Sequence, residues 1–221
     1  MQPSFDLQDE DAPPLSLSQA KLLLLQQRLC GVANAPAERL QPRAPGEAVP
    51  ISIDQYRIWL HAETTPGIPL YNEAITLRRK GSFDPAVFHA AFNEILRRHE
   101  AWRTSFTQVN GELAQIFHSG LKVRFPLSDL TVLPEQEREA AALEIAERDA
   151  RNPIPIDKAP RLRGHIVRMA EDEHRVYLTL HHIIFDGVSI YRILMPELMS
   201  IYAAYAAGRD HSLPEPALQY G

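Results

Sequence analysis

Residues 176–189 read VYLTLHHIIFDGVS. Val176 to Leu180 is β-branched, aromatic and apolar, and reads as a strand that delivers two adjacent histidines, His181 and His182, at its end. Successive strand side chains point to opposite faces. One imidazole therefore faces a cleft while its neighbour packs inward. Ile183, Ile184 and Phe185 keep the following turn apolar. On this reading Asp186 is a carboxylate in a poorly solvated turn, and such a group requires a cationic partner. Gly187 permits a backbone conformation, or a close approach, that a side chain would block. A last helix then runs from about Ser189 to Ala207, and Pro196 inside it is expected to kink or split it.

Working outward, Leu162 to Met169 is the expected partner strand of Val176 to Leu180, across a polar turn at Glu171-Asp172-Glu173-His174. Glu135 to Arg151 has the charge and spacing of an amphipathic helix, with Leu143 and Ile145 expected toward the core. Arg103 to Val109 and Glu112 to His118 flank Asn110-Gly111, a strong hairpin signal. The clearest helix start lies at Asp84, a good N-cap, followed by Pro85 in the first helical position. Phe88, Phe92, Ile95, Leu96 and His99 continue at helical spacing. Tyr71 to Arg79 reads as a strand, and residues 54–63 as a helix with Ile58 and Trp59 inward. Strands interleaved with helices and antiparallel hairpins predict an α+β sandwich.

With 221 residues, 45% hydrophobic and 23% charged, the chain has the material for one real core. A net charge of −5 leaves no basic footprint for nucleic acid. The single cysteine, Cys30, excludes an internal disulfide framework and fits a reducing cytosol. The apolar run Leu22 to Leu25 is too short for a membrane span or a signal-peptide core. Residues 1–14 are acidic and proline-containing and read as disordered. Ser16 or Ser18 is a candidate cap for a short helix through Cys30, stopped by Gly31. Residues 32–50 carry four prolines and read as a linker, placing the start of the compact domain near Ile51.

Two chemistries are weighed and set aside. Vicinal histidines on a strand do not easily chelate one ion, and no other His, Cys or Asp cluster has metal-ligand spacing. Ser189 is close to the histidines, but no nucleophile-elbow pattern surrounds it. Cys30 lies outside the domain.

His181-His182-Ile183-Ile184-Phe185-Asp186-Gly187 resembles the HHxxxDG signature of condensation domains of nonribosomal peptide synthetases, in the chloramphenicol-acetyltransferase-like superfamily. Two earlier segments match in order. Ser52 to Trp59 (SIDQYRIW) resembles the opening S-x-x-Q-x-R-x-W segment, and Arg98 to Phe106 (RHEAWRTSF) resembles R-H-E-x-L-R-T-x-F. Leu218 to Gly221 looks like the start of a further segment. The departures are Asp54 for a small residue, Trp102 for Leu, and Val188 for Trp beside the cleft. The aspartate-rich motif of heterocyclising relatives is absent. DQYRIW with HHIIFDGVS is similar to condensation domains that follow polyketide modules.

The resemblance implies the N-terminal lobe of a two-lobed sandwich with the site between lobes, over residues 51–221. It implies an acyltransferase that joins a carrier-bound acyl thioester donor to a carrier-bound aminoacyl acceptor. The expected catalytic residue is His182, with His181, Asp186, Gly187 and Arg103 as its supporting frame. Arg103 is expected to pair with Asp186, and Val188 and Ser189 are candidate substrate-channel residues. No bound cofactor and no metal are expected, since the substrates ride on phosphopantetheine arms. Expected partners are an upstream donor carrier protein arriving in trans, a downstream acceptor carrier protein and an adenylation domain, in the cytoplasm and without membrane or nucleic acid. An epimerising or ester-forming relative, or a non-catalytic carrier-docking or gating lobe, are the alternatives. The acidic tail and the Leu17 to Leu29 helix are either docking elements or a helix packed on its own domain.

Overall fold

The computed structural model describes Arg43 and residues 49–220. The helix expected before Cys30 and most of the proline-rich linker lie outside the described residues. The chain divides between residues 41 and 42, and every described helix and strand belongs to the second unit, residues 42–221.

Strand β1 (Val49–Pro50) opens the second unit, followed by helix α1 (Ile53–Thr64), strand β2 (Asn72–Lys80) and helix α2 (Pro85–Arg98). Asp84 caps α2 as expected, accepting from the backbone N–H groups of Ala86 and Val87, with Pro85 in the first turn. A 3-10 turn over Glu100–Arg103 leads into β3 (Thr104–Val109) and β4 (Glu112–Phe117). Between them, Asn110 and Gly111 both take positive φ, 54° and 86°, which is the geometry an Asn-Gly hairpin turn needs. β5 (Leu127–Asp129), helix α3 (Glu135–Arg151), β6 (Leu162–Ala170) and β7 (Glu173–His181) come next. The turn between the last two strands is shorter than expected, because Glu173 and His174 already belong to β7 and pair with Lys80 and Arg79 of β2.

The chain closes on a π-helical stretch, Ser189–Leu194, and helix α4 (Met195–Ala206). The expected break is therefore here. Pro196 sits in the first turn of α4, where its missing N–H is harmless.

Two sheets result, β1-β4-β3 and β2-β7-β6-β5, with only β5 and β6 parallel. The alternation along β7 serves two cores. Val176, Leu178 and Leu180 face the larger one, filled by Phe88, Phe92, Ile95 and Leu96 of α2 and Leu198 and Ile201 of α4. Tyr177, with Val167 and Met169 of β6, faces α3. This is the expected α+β arrangement, a mixed sheet flanked by helices.

Two expectations need correction. Ile145 is buried beneath α3 beside Ala142, but Leu143 is 56% exposed. Residues two apart on a helix lie on nearly opposite sides, so Leu143 and Ile145 cannot share the buried face. The sheet also begins before Ile51: buried Val49 pairs with Gln115, and Arg43 reaches Glu100 at 2.7 Å and the Phe117 ring.

Candidate active site

β7 ends at His181 and His182 opens the turn that follows, so the two imidazoles line different cavities. His181 is 4% exposed. Its backbone N–H donates to the Arg161 carbonyl at 2.9 Å, and its Nδ1 accepts from the Ile183 N–H at 3.3 Å. That bond fixes the tautomer with the proton on Nε2. Burial, reinforced by the positive Arg161 and by His182, pushes the His181 imidazole down to about 4, so it is neutral at pH 7. His182 opens a 3-10 turn, His182–Ile184, and its backbone N–H is anchored to the Tyr71 carbonyl at 2.9 Å. Its ring is half-buried and lies parallel to Phe185, with centroids 4.9 Å apart and planes 16° apart. Phe185 in turn stacks on buried Trp102 at 6.2 Å. The imidazole thus rests on a two-ring platform that restricts its orientation.

His182 lines a cleft of about 780 Å³, and the three sequence segments SIDQYRIW, RHEAWRTSF and HHIIFDG meet there. Ser52 and Gln55 form a capping box at the start of α1: the Ser52 hydroxyl accepts from the Gln55 N–H, and the Gln55 side chain accepts from the Ser52 N–H. The same Gln55, 6% exposed, donates through Nε2 to the Ile183 carbonyl at 3.3 Å. One glutamine therefore ties the first helix to the turn carrying His182. From the second segment, buried Arg98 donates to Glu197 Oε2 at 2.9 Å and to the Pro214 carbonyl at 2.7 Å. His99 Nε2 meets the same Glu197 oxygen at 2.9 Å. Burial works to raise the Glu197 carboxyl, but the bonds from Arg98 and then His99 outweigh it and hold Glu197 ionised. Gln219 closes the clamp, accepting from the Glu100 N–H and donating to the Arg98 carbonyl. Arg98 and His99 thus fasten α4 and residues 213–219 along one wall of the cleft.

The supporting frame differs from expectation at three points. Asp186 is exposed, not buried. Its Oδ1 accepts from the N–H and the hydroxyl of Ser189, both at 2.7 Å, and these bonds, the backbone one first, hold its carboxyl below the usual range. It is an N-cap for the helical turn that begins at Gly187. Arg103 does not pair with it: its guanidinium donates to the Leu96 and His118 carbonyls at 3.1 and 3.2 Å and lies 3.6 Å from Glu100. A solvated carboxylate satisfied by its own turn needs no distant cation, so the reason for expecting the pair disappears. At Gly187 neither a positive φ nor any neighbour within 4 Å of an added Cβ demands glycine. Ser189 lines the cleft, whereas Val188 is 63% exposed and lies outside its wall.

The structure adds residues that sequence reasoning did not single out. Glu197 had no local signal, since its partners lie about a hundred residues away. The role of Gln55 was readable, because S-x-x-Q before a helix is a capping box. Trp102 was noted only as a departure; its ring supports Phe185 beneath His182.

A family model described as Condensation domain matches residues 46–221. The chain belongs to the condensation-domain family of nonribosomal peptide synthetases. It is 34% identical over 190 residues, 86% of its length, to chondramide synthase cmdD of Chondromyces crocatus. It is 33% identical over 207 residues, 93% of its length, to phosphinothricin tripeptide synthetase PhsC of Streptomyces viridochromogenes. It spans 5% of the first of these synthetases and 19% of the second. Among solved structures, the starter condensation domain of rhizomide synthetase RzmA aligns with a TM-score of 0.71 at 25% identity, over 78% of this chain and 43% of that one. The first condensation domain of the calcium-dependent antibiotic synthetase aligns with a TM-score of 0.70 at 22% identity, over 76% of this chain and 40% of that one, and shares the fold. No helix among the described residues is long and apolar enough to cross a membrane.

Proposed function

We propose that the cleft is one wall of an amide-forming site in which His182 serves the attacking amine. The observation that carries the reading is the division of labour between adjacent histidines: His181 is buried and held neutral, while His182 stands on the cleft wall over an aromatic platform. The amine nitrogen of a carrier-bound aminoacyl acceptor adds to the carbonyl carbon of a carrier-bound acyl thioester. The C–S bond then breaks, the thiolate leaves, and the nitrogen loses one proton. An imidazole at this position accepts that proton or orients the amine through a hydrogen bond. Positioning contributes strongly by itself, because a tethered, oriented pair of reactants gains effective molarity. Asp186 acts through the backbone, setting the helical turn after the motif.

Val188, Tyr191 and Met199 are exposed at helical spacing along the last helical segments, with Tyr220 exposed in the tail. Such an apolar face fits a second lobe that completes the cleft. Donor and acceptor carrier proteins and an adenylation domain are the partners this reaction implies, with substrates delivered on phosphopantetheine arms.

The test is His182→Ala in the chain combined with its second lobe, assayed for amide formation between carrier-bound substrates. The reading expects activity to fall at least a hundredfold with an unchanged melting temperature. An active, folded variant contradicts it. A lobe that binds loaded carriers but forms no amide, with His182 intact, would instead support the gating alternative.

A further inference from the structure

Most histidines of the chain are held by a ring hydrogen bond, as His99 is to Glu197 at 2.9 Å and His165 to Ser128 at 2.8 Å. His182 is different. Its backbone N–H is anchored on the Tyr71 carbonyl, but among the described residues neither ring nitrogen has a hydrogen-bond partner. A histidine that accepts a proton or orients an amine needs a fixed ring direction, because its lone pair must come within hydrogen-bond reach of the reacting atom. In histidine-based sites a third group, often a carboxylate bonded to the far ring nitrogen, supplies that direction. The carboxylate of the same segment, Asp186, is engaged instead by the N–H and hydroxyl of Ser189.

What His182 has is a flat partner. Its ring lies over Phe185 with centroids 4.9 Å apart and planes 16° apart. Such a contact fixes the plane of the imidazole and leaves its edge uncovered, where both nitrogens sit. Phe185 is itself held, because Trp102, 4% exposed, stacks on it with centroids 6.2 Å and planes 21° apart. The turn carrying Trp102 is pinned in turn. The Trp102 N–H donates to the His99 carbonyl at 3.3 Å, the Thr104 hydroxyl donates to the Glu100 carbonyl at 2.7 Å, and Gln219 accepts from the Glu100 N–H. The network that fastens Arg98 and His99 to Glu197 therefore continues through Trp102 to Phe185. We infer that Phe185, backed by Trp102, positions the His182 imidazole, and that this stack stands in for the hydrogen-bonded carboxylate. Phe185 acts on the reacting atoms only through His182. This role presupposes that His182 is the working imidazole, but the ring orientation itself can be read without catalysis.

The first measurement is NMR of the full chain carrying 13C-labelled histidine, with the His182 ring signals assigned by their loss in His182→Ala. Those protons should lie upfield of an exposed histidine's, since they sit over the Phe185 face. Phe185→Leu should remove the upfield shift and Phe185→Tyr should keep it. The second measurement is amide formation from carrier-bound substrates in the chain joined to its second lobe. Phe185→Leu should lower kcat by about tenfold or more, with KM for the acceptor carrier within about twofold of wild type. Phe185→Tyr should recover most of the rate, and Trp102→Leu should lose less than Phe185→Leu, because the upper ring remains. Phe185 is only half-buried, so its variants are expected to fold, and melting temperatures check this. Positioning is overturned if Phe185→Leu keeps the upfield shift, if its loss falls on KM rather than kcat, or if Phe185→Tyr fails to recover the rate. It is overturned alone if His182→Ala is inactive while Phe185→Leu is fully active. An active, folded His182→Ala instead removes the amide-forming reading, and the role of Phe185 with it.

Discussion

His181 gives the structure a specific acid sensitivity. An imidazole held near 4 in the folded chain and near 6.5 when unfolded binds its proton far more readily in the unfolded state. Its folded pKa is depressed, so the stability it contributes is complete above pH 6.5 and is lost as pH falls from 6.5 toward 4. At about 1.4 kcal/mol per pH unit the full shift corresponds to ~3 kcal/mol, of which roughly 2.5 kcal/mol is lost by pH 4.5. That is a large share of a typical domain's stability of about 5–15 kcal/mol. His165 and His174 are also lowered, by burial first, and add slope in the same window. Glu94, Glu173 and Glu197 are lowered too, but their contribution is lost only below about pH 4.5. The assay is urea unfolding of wild type and His181→Gln at intervals from pH 7.5 to 4.5. The variant keeps every other titrating group, so the difference in slope isolates His181, whatever the variant's absolute stability. The wild-type curve should fall by about 2–3 kcal/mol more than the variant curve over this range. Parallel curves would refute the claim that His181 is buried in its neutral form.

Other perturbations test the surrounding frame. Arg98→Ala leaves Glu197 and two carbonyls without their buried partner, and should cost about 3–5 kcal/mol in denaturant unfolding. Arg103→Ala and Asp186→Ala share no partner, so their stability effects should add within about 0.5 kcal/mol; strong non-additivity would restore the pair that the sequence suggested. Gly164→Ala places a Cβ 2.8 Å from the Phe125 ring and 3.0 Å from Leu178, and should cost about 1–3 kcal/mol by overpacking.

Much of the fold was legible because local rules and tertiary demands agreed. Asp84-Pro85 and Asn110-Gly111 each solve a local backbone problem, and both ended up where local chemistry put them. The expected separation of His181 from His182 is present, but it comes from the strand ending at His181 and a 3-10 turn starting at His182, not from alternation alone. The failures came where an inference rested on an assumed environment. Asp186 was assigned a distant cation because its apolar neighbours suggested burial, yet a carboxylate at an N-cap points to its own turn and to water. Leu143 was assigned to the core by residue type, where the helical angle assigns Ala142 and Ile145. Arg98, His99 and Glu197 form one network whose members are separated by about a hundred residues, and nothing short-range marks such a partner. Arg161 was illegible for a related reason: only the strand register shows that it is fully buried beside His181.

In the proposed site the two adjacent histidines divide into a working imidazole, His182, and a structural one, His181. The most direct measurement compares His182→Ala and His181→Gln, each in the chain joined to its second lobe, for amide formation from carrier-bound substrates and for melting temperature at pH 7.5. His182→Ala should lose at least a hundredfold in rate at an unchanged melting temperature, while His181→Gln should shift the melting temperature and retain most activity per folded molecule. A folded His182→Ala enzyme that still forms the amide at near wild-type rate would contradict it.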